Sequence, residues 1–508
     1  MKPYSQTKDR LAGFFLVSLT LGAIVGLSYF LLMNIAYNPF SGVGGKEVFL
    51  LPRYYEKQND LPSGVFHQWK TLLFSSLGLL GLLISAFQAS RKLKFSRFLI
   101  VAYVCTFLIE AIFLSFTWNG FDHLEMQAKS INNGLWFTLQ NLIQTPSFVQ
   151  ASGPGKIQYI FTTLGSNTSG YTLPGTTHPP AFILIAWALY QFTALFPRPA
   201  LLWGFTVTAI NTLNIVVISS LARSAFSTRT GKFTGLMLMC LPSVCLHFCA
   251  MIDVMGSLTF AAGLLFIVRT MTEPRSRVRF FGFMAGLFFT LAAQFTYGHS
   301  IPIAVSLVAF TWVHTISKSP ANLSRFFSGL VVVPLVYFVF EFLVSDGTSF
   351  WPIRALNIAR TVENGLLTRP YPLSQVANFT VMGVIGGWIY LPVAVFSFGA
   401  LFHTFKWSKK NEVWGAGKRI RTLLVMILCG SILLLLAQKT VRLEVERTWH
   451  WAFIPAWALM GFVLLSTTEA VKRLLPAQRI RSGTVVFALC LFQLVTSIAL
   501  AVCIQDYY

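Results

Sequence analysis

The sequence predicts an all-α, polytopic membrane protein, and three observations carry that expectation. Hydrophobic residues fill 55% of 508 positions and charged ones only 11%, with a mean hydropathy of +0.65; soluble domains carry about 25% charged residues. Apolar runs of about twenty residues, each long enough to cross the hydrocarbon core as a helix, recur along the chain. The alternating segments of a transmembrane β-barrel are not found.

The net charge of +22 does not require a nucleic-acid partner, because basic residues of a membrane protein gather in its cytoplasmic loops. All seven cysteines fall in apolar runs, and none has metal-ligand spacing, so neither a disulfide framework nor a zinc site is indicated. The first run, 11–32, is long for a signal peptide and lacks a small-residue cleavage site, so a retained helix is expected there.

Fourteen runs are candidates for spans, near 12–35, 70–90, 98–117, 179–196, 199–221, 233–250, 254–270, 280–298, 301–316, 326–344, 379–403, 422–438, 450–467 and 483–503. The distribution of Lys and Arg decides between topologies. If all fourteen spanned, the cluster Arg223, Arg229 and Lys232 and later basic clusters would face outward. If 179–196 instead lies along the outer surface, every basic cluster falls inside. The count is then 26 of the 39 Lys and Arg inside and 13 outside. About thirteen spanning helices are therefore expected, with one apolar outer helix bounded by Pro179-Pro180 and by Pro197 and Pro199. The N-terminus is cytoplasmic in this arrangement.

The acids give a partly separate check. Asp9, Glu273, Glu412 and Glu469 fall inside, eleven acids fall outside, and Glu110 and Glu341 lie within helices. His123, His178, His299 and His450 join the outer acids. This pattern suggests one shared outer site, built around the polar stretch 118–178, too rich in Gly, Ser, Asn and Thr to cross a membrane.

Five groups are candidates for chemistry. Asp122, His123 and Glu125 follow the third helix; an outer carboxylate there can act as a general base or bind a cation, and a helix-capping Asp with a solvated Glu is the plain alternative. His178, held by two following prolines, suits a phosphate contact or proton transfer, and a turn with an incidental histidine is the plain alternative. Asp253 sits between two apolar runs, and Tyr297 and His299 at a further outer helix end; solvated helix ends explain both equally. Arg442, Glu444, Glu446 and Arg447 form the densest outer charge cluster, in which an arginine can hold a phosphate bidentately or simply pair with the glutamates.

In this order the pieces resemble the GT-C superfamily of glycosyltransferases, in particular the branch of protein O-mannosyltransferases and aminoarabinose (lipid A) transferases. Asp122, His178-Pro179-Pro180, the helix from Leu201, the basic turn from Arg223 to Lys232 and Asp253 match that family's motifs over roughly 98–300. The resemblance implies a GT-C fold with juxtamembrane helices in a large first outer loop. It implies sugar transfer from a polyprenyl-phosphate donor to an outer-face glycan, lipid or protein, inverting the anomeric centre. Asp122 is then the base and Asp253 a second active-site carboxylate. His178, His123, Glu125, Tyr297, His299, Arg442, Glu446 and Arg447 become donor or substrate contacts. No cofactor is required, or a divalent cation sits between Asp122 and Asp253. Residues 1–95 form two helices additional to the family pattern, 96–345 the transmembrane core, and 346–508 an outer loop with the C-terminal helices. Tyr297 departs from the family, whose members often carry Lys there. A bacterial inner membrane is the expected location. The rivals are a transporter or flippase using Glu110 and Glu341 as an ion path, and an O-antigen-ligase-like transferase.

Overall fold

The computed structural model describes residues 69–114, 125, 135–166, 179–247, 253–317, 321–345, 382, 386–407, 414–437, 450–474 and 482–503. Among them are eighteen α-helices and no strand. Six helices are long and apolar enough to cross a membrane, beginning with Leu73–Lys92 and Phe95–Phe113, and five shorter apolar helices accompany them. The run 12–35 lies outside the described residues.

Helix α1 (Trp69–Lys92) ends on Arg91 and Lys92, cations suited to a helix C-terminus. Helix α2 (Phe95–Phe113) returns alongside it. Three short helices then occupy the polar stretch: α3 (Leu135–Gln144), α4 (Pro146–Gln150) and α5 (Gly153–Ser166). The apolar run 179–196 becomes α6 (Pro180–Thr193), opened by a proline at its first turn. Its fourteen residues rise about 21 Å, short of a bilayer core of about 30 Å.

Helix α7 (Pro199–Ala225) also starts on proline, where the missing N–H costs nothing. A tight turn follows. Ser227 Oγ accepts the Thr230 amide at 3.1 Å and so caps α8 (Thr228–Leu238). Lys232 in α8 donates to the carbonyls of Ser90 (2.8 Å) and Leu93 (2.6 Å), satisfying the end of α1.

The run 233–250 does not form one helix. It breaks after Leu238 and restarts as α9 (Pro242–His247). Pro242 cannot donate to the carbonyl one turn back, and its ring opposes continuation. The break is tolerated because residues 233–245 are all buried in protein. Helices α10 (Asp253–Thr272), α11 (Val278–Phe295) and α12 (Ser300–Ile316) follow. The run 326–344 is likewise divided, into α13 (Ala321–Leu330) and α14 (Val332–Val344). Pro334 leaves the Leu330 carbonyl without its helical donor. Helices α15 (Tyr390–Trp407), α16 (Ala416–Ala437), α17 (Phe453–Leu474) and α18 (Ser482–Cys503) complete the described chain.

Small residues set the closest crossings, as expected where lipid removes the hydrophobic drive between helices. Gly282 and Gly286 of α11 face the backbone of α13: a Cβ at Gly286 would lie 2.2 Å from the Leu330 carbonyl oxygen and one at Gly282 2.1 Å from that of Phe326. The Leu330 oxygen released by Pro334 therefore rests on a glycine Cα, a weak C–H···O geometry. The main core joins α1, α2, α7, α8, α10, α16 and α17.

Candidate active site

A second hydrophobic cluster lies at one end of the bundle. It contains Trp136, Leu139, Phe148, Phe182 and Trp203, and with them Met255 of α10 and Phe295 of α11. Thus α3, α4 and α6 are fastened to the start of α7 and to residues beside Asp253 and Thr296. Phe182 meets Phe295 edge to face at 6.1 Å, and Trp136 meets Tyr190 at 4.4 Å. The juxtamembrane helices expected in the polar stretch are present, and they cover the end where α10 begins.

Asp253 is the first residue of α10, and the partial positive charge of a helix N-terminus favours a carboxylate there. Gly256 follows one turn on, on the same face. Its missing side chain admits His299: a Cβ on Gly256 would lie 2.6 Å from His299 Cε1. The route of His299 to that place is local. Thr296 is extended (φ −158°, ψ 140°) and ends α11. The Gly298 amide then donates to Thr296 Oγ1 at 3.3 Å and the His299 amide to the Thr296 carbonyl at 3.1 Å. This turn, Tyr297–His299, swings the imidazole under α10, where it is 1% exposed and 6.4 Å from the Phe260 ring. The Tyr297–His299 turn therefore meets the first turn of α10, which opens on Asp253. The turn His450–Ala452 also packs against α10.

Glu125 is tied to Arg198 by an ion pair of 2.5 Å. With the arginine 55% exposed, such a pair contributes at most about 1 kcal/mol. Its effect is positional, joining the polar stretch to the residue before α7. Asp122, His123, His178, Arg442, Glu446 and Arg447 lie outside the described residues, although His178 directly precedes Pro179, the N-cap of α6.

The two intrahelical acids are separately housed. Glu110 is buried in α2 and accepts the Thr212 hydroxyl at 2.7 Å. Glu341 is buried one turn before the end of α14, beside Tyr337, whose hydroxyl bonds Gln294 Oε1 at 2.7 Å. The neighbouring Phe340 meets Phe161 of α5 at 5.8 Å, so Glu341 belongs to the end covered by the juxtamembrane helices. Sequence reading did not single out Gly256, Gln294 or Tyr337. A small residue three positions after Asp253 was a usable signal for the first; nothing local marks the other two.

Among the described residues, no three of His, Cys, Asp and Glu gather as a metal-binding group. Asp253 supplies one hard oxygen ligand type suited to a divalent cation; its expected co-ligand, Asp122, lies outside the described residues.

Fold and composition thus define a multi-pass, all-helical membrane protein. No protein-family profile and no curated protein matches the chain. Solved structures do show distant likeness. The oligosaccharyltransferase of Archaeoglobus fulgidus in complex with Zn and sulfate aligns at a TM-score of 0.46 with 13% identity, covering 79% of this chain and 53% of that one. The same organism's oligosaccharyltransferase AglB, in complex with an inhibitory peptide and a dolichol-phosphate, aligns at 0.43 and 11%, covering 80% and 56%. ArnT from Cupriavidus metallidurans bound to undecaprenyl phosphate aligns at 0.36 with 16% identity, covering 73% of this chain and 75% of ArnT. This chain spans about half the length of the oligosaccharyltransferase.

Proposed function

We propose that the chain is an integral membrane glycosyltransferase of the GT-C kind, which moves a sugar from a polyprenyl-phosphate donor to an acceptor on the extracytoplasmic face. The observation that carries the reading is the second hydrophobic cluster. It fastens the helices of the polar stretch onto the residues flanking Asp253 and His299, so two regions far apart in sequence border one site. Some of the solved structures to which the chain is similar hold dolichol-phosphate or undecaprenyl phosphate; the proposal rests on this chain's own residues.

In the proposed reaction the acceptor hydroxyl oxygen attacks the anomeric carbon from the face opposite the phosphate. The carbon–oxygen bond to the phosphate breaks, and polyprenyl phosphate leaves with the electron pair. The acceptor proton passes to the Asp122 carboxylate, which acts as general base. His178, Arg442 and Arg447 stabilise the departing charge, and single displacement inverts the anomeric centre. Asp253 and His299 shape the wall opposite the polar stretch. Glu125 holds that stretch through Arg198. A divalent cation, if bound, would be held by Asp122 and Asp253, and no step is routed through it.

The transporter alternative needs Glu110 and Glu341 to serve one path. Their helices have different main neighbours: α2 packs on α1, α7, α8 and α9, and α14 on α5, α11 and α13. That favours the transferase.

Purified protein in nanodiscs, offered a panel of polyprenyl-phosphate sugars, should release polyprenyl phosphate from one of them. Asp122→Asn should slow release by about 10²- to 10⁴-fold. Equal release by wild type and variant would overturn the base assignment, and turnover of no donor would favour transport. The thirteen-span arrangement, with residues 1–95 and 346–508 flanking a core of 96–345, is part of the proposal. Cysteines placed at Ser227 and Ser166 should label from opposite sides of the membrane; labelling from one side would exclude it.

A further inference from the structure

At the end of the bundle opposite Asp253, the C-terminus of α1 and the N-termini of α8 and α18 enclose a cavity of about 490 Å³. Its rim carries two guanidiniums, Arg91 and Arg229, with the hydroxyl residues Ser482 and Thr484 at the start of α18. Its floor is aromatic: Phe87, Phe233 and Phe487. Phe87 and Phe487 touch, with ring centroids 5.1 Å apart, and the Arg229 guanidinium sits 5.4 Å from the centre of the Phe233 ring.

The charges of this cavity are unbalanced. No carboxylate lines it, and no ion pair joins Arg91 or Arg229 to an acid among the described residues. Arg198 and Arg277, by contrast, each have a glutamate. Lys232, close by in α8, is committed to the carbonyls of Ser90 and Leu93; among the described residues, Arg91 and Arg229 are the cations that line the cavity. Two guanidiniums, two hydroxyl residues and the start of a 22-residue helix line one cavity, donor types that suit a phosphate.

The floor decides which phosphate. Phe87 lies five residues inside the end of α1, Phe233 five residues inside the start of α8, and Phe487 five residues inside the start of α18. At 1.5 Å per residue the rings lie about 7 Å below the helix ends, at the depth where acyl chains begin beneath a headgroup. A soluble phosphate would leave those rings unused.

We infer that this cavity binds an anionic phospholipid of the leaflet opposite the Asp253 end, its headgroup phosphate between Arg91 and Arg229 and an acyl chain over Phe87 and Phe487. Basic pockets between helices at a membrane surface suit such headgroups. The inference is independent of the proposed transferase reaction.

The test is native mass spectrometry of the full chain in detergent, titrated with phosphatidylglycerol, phosphatidylcholine or inorganic phosphate. Wild type should retain phosphatidylglycerol at least about tenfold over phosphatidylcholine, a difference of about 1.4 kcal/mol. Arg91→Gln with Arg229→Gln should abolish the preference, while the same change at the exposed pair Arg275 and Arg277 should leave it intact. Both arginines of the cavity are solvent-exposed, and circular dichroism of each variant confirms that it folds. Unchanged retention by the cavity variant would overturn the assignment. Equal loss in the two double variants would reduce it to nonspecific charge. Displacement of the lipid by millimolar phosphate would show a free-anion site instead.

Discussion

Helices α10 and α14 are both apolar segments of a membrane protein, yet they occupy opposite environments. The span containing α10 is 78% buried in protein, and the span ending in α14 is 17% buried. The exposed span is the more apolar of the two, and their side-chain volumes differ as well. Helix α10 contains Gly256, Ser257, Ala261, Ala262 and Gly263, and neighbouring elements enter at those gaps: His299 at Gly256 and Phe289 at Gly263. Helix α14 has no Gly, Ala or Ser at all, and turns Leu335, Val336, Val339 and Leu343 outward. In lipid, hydrophobicity cannot pull two helices together, so close approach and interhelical polar contacts select the inner positions.

The comparison can be broken most severely at Gly286. Leucine there would meet the Leu330 carbonyl, which cannot retreat without separating α11 from α13. Gly286→Leu should cost about 3 kcal/mol or more, read as a lowered thermal midpoint of the detergent-solubilised protein; an unchanged midpoint would mean the helices do not cross there. Next is Gly256→Val, which should displace His299 from α10. The variant should remain folded but transfer sugar about a hundredfold more slowly, the cost of misplacing a site by about 1 Å. Full activity would remove His299 from the proposed site. The smallest effect belongs to Leu335→Ala on the lipid face. Its stability should stay within about 0.5 kcal/mol of wild type. A larger loss would show that this face is covered by protein.

The same contrast explains what the sequence revealed. Helix positions follow from apolar runs, and the runs at 199–221, 254–270, 301–316 and 483–503 reappear within a few residues as α7, α10, α12 and α18. The outer placement of 179–196 remains an expectation from charge balance and flanking prolines; what the structure adds is that the run forms a helix of only fourteen residues. The breaks at 239–241 and 331 were missed because hydropathy is blind to them, although Pro242 and Pro334 stood in plain view. At the candidate site, Asp253 and His299 were selected for their chemistry and helix ends. The seat of His299 against Gly256 was not legible, since it depends on which face of α10 meets the 296–299 turn. The bond between Glu110 and Thr212 was equally hidden, because residues 102 positions apart share no local pattern.

That separation has a consequence for biogenesis. Helix α2 leaves the ribosome with a carboxylate in its C-terminal half, and the Thr212 hydroxyl that bonds it is still unmade. At about 5–20 residues per second, Thr212 follows about 5–20 s later. During that interval α2 either enters the bilayer before this hydrogen bond can form or remains at the translocon until α7 arrives. The Glu110–Thr212 bond therefore belongs to the later part of assembly, since it forms only once α7 stands beside α2.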